Sequence, residues 1–171
     1  MRVCVINGAS GTGKSTVLEA LRKKANSNLR IATIEGDDLA FVTPNDHGSW
    51  WAQLVRRNLA ACARNMREQA DKIDLLFIVF PFPERDSVGE MTRLLKAEGL
   101  DPSWVNLYLE EECLRCRLGT RKGWDTDRVS NVAVPQNKKI QDLDTLASLD
   151  ASHKSPEELA AEILSRLEIK Q

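Results

Sequence analysis

Gly8-Ala9-Ser10-Gly11-Thr12-Gly13-Lys14-Ser15 decides how this chain is read. The octet fits G-x-x-x-x-G-K-[ST], the pattern of a phosphate-binding P-loop. The residues before it, Arg2-Val3-Cys4-Val5-Ile6, are mostly apolar and β-branched, as a buried strand requires. The residues after it, Ser15 to Ala25, set Val17, Leu18, Leu21 and Ala25 on one helical face. Strand, glycine loop and helix therefore follow in the order that an amide-lined anion cup needs. Glycines let the backbone close around phosphate oxygens, and the start of the helix adds its partial positive charge.

The pattern assigns roles residue by residue. Gly8, Ser10, Gly11, Thr12 and Gly13 are expected to line the cup with backbone N–H groups. Lys14 is expected to reach the β- and γ-phosphates, the Ser15 hydroxyl to ligate magnesium, and Thr16 to donate to the α-phosphate.

Outward from the loop, strands and helices alternate, which predicts an α/β fold: a parallel sheet with helices on both faces. The pattern predicts strands at about 2–7, 30–34, 74–80, 105–109 and 146–149. Asp74 to Phe80 is continuously apolar after its first residue, as a strand covered on both faces should be. Helices are predicted at about 14–25, 49–70, 84–98, 110–118 and 136–143. A last one opens at Ser155-Pro156-Glu157-Glu158, a capping box with proline at the first helical position. Gly119 to Pro135 is polar, basic and without a sustained period, and reads as irregular.

A chain of 171 residues, 42% hydrophobic and 29% charged, suits one well-cored globular domain spanning 1–171. A net charge of −1 gives no electrostatic case for nucleic acid or a membrane surface. No leader or spanning segment is visible, and the four cysteines read as reduced thiols, so a cytoplasmic location is expected. Cys113 and Cys116 form C-x-x-C, with no second cysteine or histidine cluster in the sequence to complete a zinc site.

The second chemical feature follows the second strand. Glu35, Asp37 and Asp38 are three carboxylates in four residues. In an open parallel sheet, ligands bind beyond the carboxyl ends of strands. A carboxylate there can take the proton of an attacking hydroxyl, and another can hold the magnesium shell. Asp37 is read as the base and Glu35 as the acid on the magnesium side, with Asp37 also available to the metal. Asp38 either touches the acceptor or caps a helix. Trp50 is read as an acceptor-pocket residue within an acceptor region of about 36–70.

The third feature is basic. Arg115, Arg117, Arg121, Lys122 and Arg128 lie close together, interrupted by Gly119 and Gly123. Arg117 and Arg121 are read as lid residues that stabilise charge on a transferred phosphoryl group, within a lid of about 115–135. Trp124 lies in the same stretch and Arg115 reads as surface charge.

These segments resemble the small P-loop kinases of metabolites: the shikimate, gluconate and adenylylsulfate kinases and, most closely, chloramphenicol phosphotransferase. Glu35-Gly36-Asp37 resembles their acid-x-acid segment, whose second acid faces the acceptor hydroxyl. Arg117-Leu118-Gly119-Thr120-Arg121 resembles the R-x-x-x-R at the start of their lid. Asp127-Arg128-Val129 followed by Gln136, and Asp150-Ala151-Ser152-His153-Lys154, resemble two stretches of the antibiotic kinase. The second of these implies that Ser152 lies near the adenine. The resemblance implies a three-layer, nucleoside-monophosphate-kinase-like fold with strand order 2-3-1-4-5, ATP with Mg²⁺ as donor, and a small-molecule hydroxyl as acceptor.

One departure stands out. The central strand ends in Phe80-Pro81, without the aspartate that many P-loop enzymes turn toward magnesium. The metal burden then falls on Ser15, Glu35 and Asp37. Two other readings stay open. One is a nucleotide or nucleoside kinase, with Asn45, Asp46 and Gln53 available to read a base. The other is an ATP-binding regulatory module with weak hydrolysis and no acceptor. No N-K-x-D segment for guanine is present, so a GTPase is not expected, nor is a motor of the kind that carries a helical lid domain.

Overall fold

β1 (Arg2–Asn7) is exposed at its first residue and buried at the next five, and it runs through the middle of the molecule. The computed structural model describes residues 1–26, 28–43, 48–120, 126–143 and 146–168. Within them, β1 is flanked by β3 (Leu75–Val79) and β4 (Pro102–Tyr108), with β2 (Ile31–Glu35) beyond β3 and β5 (Ala147–Asp150) beyond β4. The order is 2-3-1-4-5 and all four pairings are parallel, as expected.

Side-chain alternation divides the core between the two faces. Cys4 and Ile6 of β1, with Phe77 and Val79 of β3, point toward α1 (Lys14–Arg22) and α6 (Pro156–Arg166), meeting Leu18, Leu21, Leu159 and Ile163. Val3 and Val5, with Leu76 and Ile78, point the other way. They meet Val55 and Leu59 of α2 (Ser49–Arg67) and Met91 and Leu95 of α3 (Arg85–Ala97). Both faces of the central strands are dry, which explains why their sequences run apolar without alternation. Burial pushes the Cys4 thiol up to about 12, so it stays protonated and unreactive. All four cysteines are free thiols.

Two boundaries differ from the sequence pattern in an instructive way. The stretch read as irregular, followed by a short helix at 136–143, is instead one helix, α5 (Thr126–Gln141), over its described part. Its inward stripe is Val129, Ala133, Asn137 and Ile140, and the polar Asn137 breaks the apolar period. Asn137 is only 4% exposed and is clasped to one residue: Leu109 N donates to its Oδ1 at 3.1 Å, and its Nδ2 donates to Leu109 O at 2.7 Å. Pro135 lies inside this helix at an exposed position, where water can replace the lost backbone bond. β4 also begins earlier than expected, at Pro102, so Trp104 lies within it. The Trp104 indole N–H donates to Thr92 Oγ1 at 3.1 Å, and its ring stands edge-on to Phe82. The last helix starts as read: Ser155 Oγ accepts from Glu158 N, and Glu158 Oε2 accepts from Ser155 N.

The carboxyl ends of the strands are aligned by register. Val79 sits opposite both Ile6 and Glu35, and Asn7 sits opposite Asn106. The glycine loop after β1 and the acidic segment after β2 therefore emerge on the same edge, with β3 between them. They are not on adjacent strands, and α1 closes the gap.

Candidate active site

The loop leaving β1 is shaped by three glycines. Gly11 and Gly13 have φ of 86° and 93°, the left-handed region that side chains disfavour. A Cβ on Gly8 would lie 2.9 Å from the Leu107 carbonyl oxygen of β4 and 2.6 Å from Thr12 Oγ1, so no side chain fits there. Ala9 O gathers the loop: it accepts from Thr12 N at 3.3 Å, Thr12 Oγ1 at 2.9 Å and Lys14 Nζ at 2.8 Å. Lys14 is buried, its stem folded back along the loop, whereas Ser15 and Thr16 are exposed at the first turn of α1.

Beneath the loop lies a buried amide network. Asn7 is fully buried. Its Nδ2 donates to Phe82 O at 3.0 Å and to Asn106 Oδ1 at 2.9 Å, while its Oδ1 accepts from Phe82 N at 2.7 Å. Asn106, also fully buried, passes the chain on to Ile140 O of α5 at 3.1 Å. The last residue of β1 is thus bolted to the segment after β3 and to β4. This fixes the origin of the glycine loop.

Ser15 Oγ donates to Glu35 Oε2 at 2.6 Å. The other oxygen of Glu35 stands 3.5 Å from Arg22 NH2, and that guanidinium also donates to Thr33 Oγ1 through Nε at 3.0 Å and NH2 at 2.8 Å. The first turn of α1 and the end of β2 are therefore joined by a hydroxyl–carboxylate bond. Asp37 and Asp38 follow in a 3₁₀ turn, Gly36–Asp38, and both are exposed. A Cβ on Gly36 would fall 2.5 Å from the Phe80 ring, so the aromatic that ends β3 occupies the space under the acidic turn. As the sequence indicates, β3 supplies no acid here, and the carboxylates come from the β2 side. The Ser15 hydroxyl and Glu35 carboxylate are hard oxygen donors in contact, a set that suits magnesium.

α4 (Glu111–Gly119) packs behind the loop. A Cβ on Gly11 would meet Leu118 Cδ2 at 2.8 Å and Leu114 Cδ1 at 3.0 Å. Arg117 is brought to the loop: its NH1 lies 3.5 Å from where a Gly13 Cβ would stand, and its NH2 donates to Ala151 O at 3.1 Å. Ser152 is adjacent, but its hydroxyl is committed to the protein. It donates to Asp150 Oδ1 at 2.6 Å and accepts from Glu110 N at 2.8 Å. Arg115 pairs with Glu111 along the helix surface.

Solved structures share this fold. The tunicamycin resistance protein of Deinococcus radiodurans superposes with a TM-score of 0.71 at 15% identity, over 99% of this chain and 96% of that one. The Mycobacterium tuberculosis APS kinase, solved with AMPPNP and APS, gives 0.70 at 18% identity, over 98% and 97%. A sugar kinase from Janibacter gives 0.68 at 19% identity, over 99% and 95%. The fold is that of the P-loop kinases. No protein-family model matches the sequence, and no curated protein matches it.

In this P-loop kinase fold, Gly8, Ser10, Gly11, Thr12, Gly13, Lys14, Ser15, Thr16, Glu35, Asp37, Asp38 and Arg117 all lie along the edge formed by the loop, the acidic turn and α4. Trp50 is 46% exposed at the start of α2, whereas Trp51 turns inward, donating to Ala40 O at 3.0 Å and tilting onto Phe80. Arg121, Lys122, Trp124, Asn45, Asp46 and His47 lie outside the described residues, as does the side chain of Arg128. Asn7, Asn106 and Arg22 were not singled out by the sequence reading. The available signal was an asparagine at the end of β1 and another inside β4, each next to buried apolar residues. No described helix is long and apolar enough to cross a membrane.

Proposed function

We propose that this chain is an ATP-dependent phosphotransferase that moves the γ-phosphate to a hydroxyl of a small molecule. The observation that carries the reading is the Ser15–Glu35 hydrogen bond. It couples a phosphate loop to an acidic turn whose next carboxylate, Asp37, is exposed to an incoming acceptor. Glu35 would also serve a nucleotide holder through magnesium; the further exposed carboxylate of Asp37 is what a hydroxyl acceptor needs. The names of the solved relatives in fold, among them sugar kinase, gluconokinase and shikimate kinase, support it.

The backbone of Gly8 to Gly13 and the first turn of α1, through Ser10, Thr12, Ser15 and Thr16, hold the triphosphate. Lys14, Arg117 and Arg121 offset the charge that spreads over the transferred group. Ser15, Glu35 and Asp37 would hold magnesium, which would supply positive charge to offset the negative charge of the phosphates. Arg22 fixes the Glu35 carboxylate by pairing with its outer oxygen. Asp37 accepts the hydroxyl proton of the acceptor as the oxygen attacks in line. Asp38, Trp50 and Arg128 contact the acceptor, and the Ser152 loop borders the base.

The test is incubation with γ-labelled ATP, magnesium and fractionated small metabolites bearing hydroxyl groups. A labelled product from one fraction, with matching loss of ATP, is expected. Failure of every fraction to stimulate ATP loss would overturn the reading and leave a regulatory nucleotide-binding module.

A further inference from the structure

A second group of ligating side chains lies on the far side of Arg117 from the acidic turn. Glu110 precedes α4, Cys113 is half-buried in its first turn, and His153 comes from the loop between β5 and α6. Their carboxylate oxygen, thiol sulfur and imidazole nitrogen lie within 4.8 Å of one another. Neither the phosphate cup nor the acidic turn uses these atoms. The C-x-x-C pair looked incomplete in the sequence because the histidine arrives from across β5.

We propose that Glu110, Cys113 and His153 bind zinc, with a water in the fourth position. The donor set decides the metal. Magnesium takes oxygen ligands, whereas a thiolate beside an imidazole selects a borderline cation such as zinc. Tetrahedral zinc with ligands at its usual bond lengths sets donor atoms about 3.5 Å apart, so the group needs to contract by about 1 Å. Glu110 and His153 are well exposed and already 4.0 Å apart, so side-chain rotation supplies that movement.

The backbone holds the ligand-bearing segments in place. Glu110 N donates to Ser152 Oγ at 2.8 Å, one residue before His153, and Ala151 N donates to Tyr108 O at 2.9 Å. Binding replaces the S–H bond of Cys113 with an S–Zn bond and releases one proton, with no change of oxidation state. The same seam carries the Arg117–Ala151 bond, so zinc there would stiffen the contact that sets Arg117 beside Gly13.

The experiment uses the full chain, zinc ion alone and a chromogenic chelator as competitor, with cobalt(II) as the spectroscopic probe. One equivalent of zinc is expected, undisturbed by excess magnesium. Cobalt should give a thiolate charge-transfer band. Cys113→Ser and His153→Gln should each weaken zinc binding about tenfold or more, and Cys113→Ser should remove the cobalt band. Cys116→Ser, at the exposed second cysteine, should leave both unchanged. The proposal is overturned if no stoichiometric zinc binds, or if binding survives both Cys113→Ser and His153→Gln. It is also overturned if Cys116→Ser abolishes binding while Cys113→Ser does not. No nucleotide is present, so the outcome is independent of phosphoryl transfer.

Discussion

Replacing Asn7 by alanine strikes the joint on which the phosphate loop is mounted. Three buried groups lose their partner: Phe82 N–H, Phe82 C=O and Asn106 Oδ1. An unsatisfied buried polar group costs about 1–3 kcal/mol, so the change should destabilise the fold by about 3–9 kcal/mol, the lower figure applying if water enters. Small domains are stable by only about 5–15 kcal/mol, so a large part of the total is at stake. Urea unfolding followed by circular dichroism reads it as a fall in midpoint at unchanged slope. Asn106→Ala removes one of the same bonds, so the double variant should cost clearly less than the sum of the two. A loss under about 1 kcal/mol for Asn7→Ala, or strict additivity with Asn106→Ala, would refute the idea that these amides form one buried clasp.

Other outcomes follow from the same geometry. Lys14→Ala should abolish ATP turnover while leaving the far-UV spectrum unchanged, because the loop closes through Ala9 O bonds that Thr12 still makes; retained turnover would remove Lys14 from the site. Acid should weaken the fold through three carboxylates held below their usual range. They are Asp74, chiefly by the Arg30 backbone N–H, Glu158 by the Ser155 backbone N–H, and Glu162 by Lys154. A depressed carboxylate contributes its stability above the unfolded-state value, about 4, and loses it as pH falls toward the folded one. The unfolding temperature should therefore drop below about pH 4.5, and Glu158→Gln should flatten that drop.

The order of elements was legible because each rests on a strong local signal. β1, the glycine loop and α1 are one contiguous motif, and the dry central strands announce themselves by unbroken apolar runs. The Ser155 capping box marks α6 to the residue. The first part of α5, 126–135, was hidden because Pro135 reads as a helix breaker, whereas in the structure it lies inside the helix at an exposed position. What else escaped the sequence was held by tertiary contacts. The polar clasp of Asn7, Asn106 and Phe82 depends on strand register, which no single segment encodes. In the site, the acid-x-acid spacing and the P-loop could be read directly. The Ser15–Glu35 bond could not, because β3 separates the strands that carry them.

The central claim is that the carboxylate at position 37 serves a hydroxyl acceptor beside a bound triphosphate. It is tested most directly by comparing the wild-type chain with Asp37→Asn, measuring ATP affinity and labelled-phosphate transfer on the same samples. The account predicts that ATP affinity changes far less than transfer, which falls roughly 10²–10⁴-fold, the range for losing a general base. Full transfer by Asp37→Asn to the acceptor would contradict it.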